Sequence, residues 1–266
     1  MKNIYLLTVF QLKNNKKLII GWTVALFSMM FLYMILFPYC QDMATVKMET
    51  MPEELFQLFG MDSMSDLADF VTYFGMIYNI LLVAISIFAV SFGANCIASE
   101  ERNKTIEFLY SLEVSRLDIY ISKFLMAYIS LMIVIMATIS SAILCGFING
   151  GETFVLMDVL TIMKLSSLTP FVFLGLGVML SGISGKISGA MIGSIVVLFS
   201  YMCGFISTLA TKLDWFVYLS PFELFSPTNA LSFDSTFIMQ LLAYLLLLGV
   251  FVFIGGYVYK QRDYHI

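Results

Sequence analysis

The chain has 266 residues, 60% of them hydrophobic and only 12% charged, about half the charged fraction of an average globular protein. Its mean hydropathy of +0.93 excludes a soluble protein with a single core, which could not hide so much apolar surface. A net charge of −4 without any basic block excludes a basic nucleic-acid binder.

An all-α integral membrane protein remains, with six apolar runs near the roughly 20 residues that a spanning helix needs. Before the first run, Ile4, Leu7, Phe10 and Leu12 form an apolar face, with Lys2, Lys13, Lys16 and Lys17 placed for lipid headgroups. This predicts an interfacial helix over residues 1–17; a disordered basic flank is the alternative. The first span is predicted over Leu18–Phe37, ended by Pro38. It reads as retained, because it is too long for a signal peptide and no A-x-A site follows.

The outer loop Tyr39–Asp69 is long enough to hold structure. Pro52-Glu53-Glu54 suits a helix first turn, Leu55, Phe56, Leu58 and Phe59 supply apolar surface, and Gly60 is a C-terminal stop. Ser65 can cap a second short helix leading into the next span. Such a pair either gates an outer mouth or rests at the membrane surface.

The second span is predicted over Phe70–Ala98. Ser99–Lys123 follows as the most polar inner segment, where Ile106, Leu109, Tyr110 and Leu112 mix with charges of both signs. That pattern predicts short amphipathic helices and suits docking of a cytoplasmic partner, against the plainer reading of a solvated connector. The third span is predicted over Phe124–Ile148, the fourth over about Leu165–Ile183 starting near Pro170, and the fifth over Ile187–Leu209. Small residues recur at Ser181, Gly185, Gly189 and Gly193, preceded by Gly175 and Gly177, a spacing that lets membrane helices approach closely. Thr211–Thr236 is too apolar for a water-exposed loop and too broken by Pro221 and Pro227 for a span. It reads as a re-entrant or interfacial hairpin with Trp215, Tyr218, Phe222, Phe225 and Phe233 at headgroup level. The sixth span is predicted over Phe237–Tyr259.

With the N-terminus inside, all of the 14 basic residues except Lys47, Lys164 and Lys212 fall on inner segments. The acidic residues lean outward, led by Asp42, Glu49, Glu53, Glu54, Asp62, Asp66 and Asp69. Both termini are therefore expected in the cytoplasm.

Several chemistries have no residues to perform them. His265 is the 1 histidine and stands beside the C-terminus, which removes HExxH zinc chemistry and an intramembrane Ser–His dyad. Glu100-Glu101 lacks the arginine four residues after Glu101, where Thr105 stands, and the histidines of CAAX-type membrane proteases. Gly185-Lys186 has Leu180 and Ile187 where a phosphate loop needs Gly and Ser or Thr. Cys40, Cys96, Cys145 and Cys203 are widely separated, so neither a metal cage nor a disulfide framework is indicated. No ionisable residue is predicted deep within a span, as a proton- or sodium-coupled carrier usually requires. The energy source is expected outside this chain, and no enzymatic activity within it.

The inner segment and its setting resemble the membrane subunit of ABC-2, or type V exporter-like, ABC transporters. The resembling pattern is E-E-x-x-G-T-x-E-x-L-L-S-x-P-x-S-R-x-x-I-x-x-x-K, matched here by Glu100, Glu101, Thr105, Glu107, Leu109, Ser111, Ser115, Arg116, Ile119 and Lys123. Lys104 stands at the usual glycine and Glu113 at the usual proline. Pro52 through Gly60 and the ending Lys260-Gln261-Arg262-Asp263 also resemble the family, and the likeness covers essentially the whole chain as a single transmembrane domain, 1–266.

The resemblance implies a multi-pass permease of the cell membrane, a homo- or heterodimer with a second permease copy. A separate cytoplasmic ABC ATPase would use ATP and Mg and dock on a coupling helix within residues 99–123. Glu100, Glu101, Arg102, Lys104, Thr105, Glu107 and Arg116 are the expected coupling residues, and Gly185, Gly189 and Gly193 the expected packing residues. The expected cargo is hydrophobic or amphipathic, with small amphipathic or antimicrobial peptides first. An ATPase-independent channel or secondary carrier, or a regulatory membrane subunit, is the rival reading.

Overall fold

The computed structural model describes residues 2–45, 67–102, 114–183, 189–209, 211–226 and 235–262. Every regular element among them is helical. In chain order they are α1 (Lys2–Ile35), α2 (Phe37–Thr45), α3 (Phe70–Arg102), α4 (Arg116–Asn149), α5 (Leu156–Ser166), α6 (Leu168–Ile183), α7 (Gly189–Leu209), α8 (Pro221–Leu224) and α9 (Ser235–Gln261). Short 3-10 turns cover Gly151–Thr153 and Thr211–Leu219. Six helical stretches are long and apolar enough to cross a membrane, so the chain is a multi-pass membrane protein. The outer-loop helices expected over residues 52–60 and after Ser65 lie outside the described residues.

Helix boundaries depart from the sequence expectation in four places. Pro38 does not end the first span, which runs on through α2 to Asp42, because a Pro in a helix first turn removes no intrahelical donor. No separate interfacial helix precedes the first span, because α1 runs unbroken from Lys2 to Ile35. Nothing between Lys13 and Leu18 interrupts the hydrogen-bond ladder; neither Pro nor Gly stands there. The third helix starts at Arg116 rather than Phe124. Ser115 caps it, its Oγ accepting from the Asp118 N–H at 3.1 Å, and Asp118 meets the positive end of the helix dipole.

The fourth span departs at its start. It occupies Leu156–Ile183, not Leu165–Ile183, and Lys164 stands within α5 rather than in a loop. Pro170 cannot donate to the Ser166 carbonyl and its ring crowds that turn, so the helix breaks at Ser167 and resumes as α6. The break is bound on all sides. Tyr78 Oη and Ser167 Oγ share a hydrogen bond of 2.6 Å, Ser166 Oγ donates to the Phe225 carbonyl at 2.6 Å, and Thr169 Oγ1 donates to the Pro221 carbonyl at 3.2 Å. These hold the Thr211–Ser226 segment against the bundle, where Phe222 and Phe225 are buried while Trp215 and Tyr218 are exposed.

Helix α3 is the axis of the bundle, packed by α6 and α7 and, less extensively, by α4; α1 lies mainly on α4 and α9 on α6. Lipid gives apolar surface no reason to leave it, so these contacts rest on close approach and hydrogen bonds. A Cβ on Gly177 would collide with the Val90 carbonyl oxygen of α3, and one on Gly93 would stand 2.9 Å from the Leu174 carbonyl oxygen of α6. On the opposite face of α6, a Cβ on Gly182 would come within 2.5 Å of the Gly255 carbonyl oxygen of α9. Beyond α4 the chain reverses at Gly151, whose φ of 54° is left-handed and suits glycine.

Candidate functional site

Glu100, Glu101 and Arg102 end α3, Arg116 begins α4, and α9 ends nearby, so three spans converge at this end of the bundle. The convergence is held by charge. Lys123 is 2% exposed; its Nζ lies 2.5 Å from Glu100 Oε1 and donates to the Cys96 carbonyl at 2.5 Å. An ammonium this buried is tolerable only with such partners. At the preceding residue, Thr8 Oγ1 of α1 donates to the Ser122 carbonyl at 3.3 Å, bringing a fourth helix to the same end.

A second pair lies beside the first. Arg262 Nη2 donates to Glu101 Oε1 at 2.6 Å, and Arg116 Nη1 donates to the Arg262 carbonyl at 2.8 Å. Arg116 therefore places its cation on the carbonyl end of α9, where helix dipoles favour positive charge. Tyr120 Oη, one turn further into α4, donates to the Val252 carbonyl of α9 at 2.9 Å. The end of α3 is also gripped from α6, since Ser181 Oγ accepts from the N–H groups of Ile97 at 3.0 Å and Ala98 at 3.2 Å. Arg102 is exposed, and its Nη2 donates to Asn95 Oδ1 at 2.6 Å.

Of the residues expected to couple, Glu100, Glu101 and Arg116 are thus brought together and spent on contacts within the chain. Arg102 faces solvent beside them, and Lys104, Thr105 and Glu107 lie outside the described residues. Among the packing glycines, Gly189 stands against Ala94 and Gly193 against Val90 of α3; Gly185 lies outside the described residues. The sequence reading did not single out Lys123 and Arg262 as site residues. Lys123 directly precedes an apolar run and Arg262 follows one, so both read as ordinary span flanks. Their one signal was position, at the inner ends of spans whose neighbours carry Glu100 and Glu101.

No group of His, Cys, Asp and Glu able to hold a metal occurs among the described residues. What the described arrangement supplies is mechanical: ion pairs that lock helix ends to one another.

A comparison with curated proteins finds no match. The family model described as "Multidrug efflux system permease Rv1217c, C-terminal domain" matches residues 9–259, a stretch that reaches into all six candidate spans. Matched over nearly its whole length and built of apolar spans clamped at one end, this chain belongs to that multidrug efflux permease family.

Proposed function

We propose that the chain is the permease subunit of an ATP-driven exporter of the ABC-2 type. In this reading the basic end of the bundle faces the cytoplasm and the protein resides in the cell membrane. A separate ATPase subunit binds ATP and Mg and docks on residues 99–123, and two permease copies work together. The cargo is hydrophobic or amphipathic, a class that includes both small amphipathic peptides and the drugs named in the family description.

The observation that supports coupling most is the Glu101–Arg262–Arg116 cluster. It ties both described ends of the 99–123 segment to the sixth span, so a push on that segment reaches three spans as rigid bodies. Glu100 and Glu101 transmit the push in this scheme, while Arg102, Lys104, Thr105 and Glu107 supply the docking surface.

Co-expression with a candidate ATPase, co-purification, and substrate-stimulated ATP hydrolysis test the proposal. Glu101→Arg should uncouple hydrolysis from transport by about tenfold, the effect of losing one charged contact. Exchanging the pair, Glu101→Arg with Arg262→Glu, should restore coupling. A Glu101→Arg variant that hydrolyses and transports like the wild type would overturn the coupling role. An ATPase that never co-purifies would instead favour the channel or carrier reading.

A further inference from the structure

Between α1, α3 and the start of α4 lies a cavity of about 750 Å³, within the 300–1,000 Å³ typical of small-molecule sites. Its lining is divided. Trp22, Phe88 and Phe92 form an aromatic end, with the Trp22 and Phe88 rings 5.4 Å apart and those of Phe88 and Phe92 5.3 Å apart. Asn95, Glu100 and Lys123 line the other end. Glu100 and Lys123 neutralise each other. Arg102, which also lines this end, donates to Asn95 and is exposed, so solvent screens its charge and the buried part of the polar end makes little demand for a charged guest.

Gln11 lines the same cavity and is 6% exposed. Neither its Oε1 nor its Nε2 has a hydrogen-bond partner among the described residues. A buried carboxamide with both atoms unmatched is costly, and its natural complement is a group that both donates and accepts. Phe10 and Leu18 line the cavity too and are exposed, which leaves an apolar rim on the lipid side.

We propose that this cavity binds a small uncharged amphipath through an amide-type head held by Gln11, with its apolar body laid toward Trp22. Entry is lateral, past Phe10 and Leu18, from the adjoining leaflet. That the bound molecule is cargo rests on the efflux reading; that it binds does not.

The chain carries its own reporter. Trp22 and Trp215 are its 2 tryptophans, Trp215 does not line the cavity, and Trp215→Phe isolates Trp22. From Gln11 to Trp22 the helix rises about 16 Å, roughly the length of an extended twelve-carbon chain. A dodecanamide brominated at its far end should therefore bring its bromines to the indole. In purified full-length protein in nanodiscs, quenching of Trp22 should saturate and be reversed by unbrominated dodecanamide. Gln11→Leu and Gln11→Met should each weaken binding about tenfold while raising the melting temperature of the empty protein, because an unmatched buried amide is gone.

Quenching that rises without saturation and ignores both variants is partition into lipid and would overturn the site. Equal, undisplaced quenching by bilayers of brominated phosphatidylcholine would assign the cavity to lipid and overturn the amide assignment. Export separates the two readings: Gln11→Leu exporting dodecanamide like the wild type would remove the cavity from the cargo route. Saturable binding without export under any partner would instead count against the efflux mechanism and leave the site standing.

Discussion

At the scale of single residues, Lys123 decides how the basic end is built. Its ammonium is sealed between the Glu100 carboxylate and the Cys96 carbonyl, and removing one partner of such a pair typically costs about 3–5 kcal/mol. Glu100→Leu and Lys123→Met alone should each lower the melting temperature in detergent clearly. The double variant should recover most of the loss, because no charge is then buried without its partner. Equal damage from the double and single variants would show that the pair stabilises nothing beyond its packing. Glu223, in the segment after α7, answers to pH instead. Burial raises its carboxyl above the ordinary 4.5, so the fold favours the neutral acid. That contribution is complete below pH 4.5 and is lost as pH rises through the raised value. Melting curves from acid to neutral pH should show wild type losing stability relative to Glu223→Gln as pH rises; parallel curves would rule the effect out.

At the scale of elements, glycines set how near the helices lie. Gly177 meets the backbone of α3 and Gly182 the backbone of α9, so α6 is the filling between two close contacts. Gly177→Val should separate α3 from α6, with a loss comparable to overpacking a core, about 1–3 kcal/mol or more. Gly249 has open space around its missing Cβ, and Gly249→Ala should hold or raise the melting temperature, since Ala favours a helix interior over Gly. Comparable losses at both positions would mean that close approach to a facing helix is not what distinguishes Gly177.

For the whole molecule, the asymmetry of charge predicts an orientation that labelling can test. Glu152, in the turn after α4, and Lys260, at the end of α9, are both exposed and belong to opposite ends of the bundle. In a Cys40→Ser background, where the remaining native cysteines are buried, an impermeant thiol reagent added to intact cells should label Glu152→Cys. It should reach Lys260→Cys only after permeabilisation. The reverse pattern would invert the topology and take the docking proposal with it.

Six spans, their order and the start of the second at Phe70 were legible along the chain, because a bilayer reads local apolar length and nothing else. Charge bias along the loops, likewise local, sufficed to predict an orientation. The ends of helices were less legible. Ser115 capping α4 and the unbroken α1 depend on which polar residues find partners, and Pro170 marked a break inside a span that had been read as its beginning. Gly189 and Gly193 were recognisable from spacing, yet Gly93 and Gly255, which receive the facing helices, show no such pattern. Composition and periodicity by themselves determined the class of protein and the number of spans. Only the tertiary structure could bring Lys123 to Glu100, Arg262 to Glu101, and leave Gln11 unmatched in a cavity. Those pairings join residues 23 and 161 positions apart, and a contact across that separation depends on how helices pack, which no single stretch of sequence encodes.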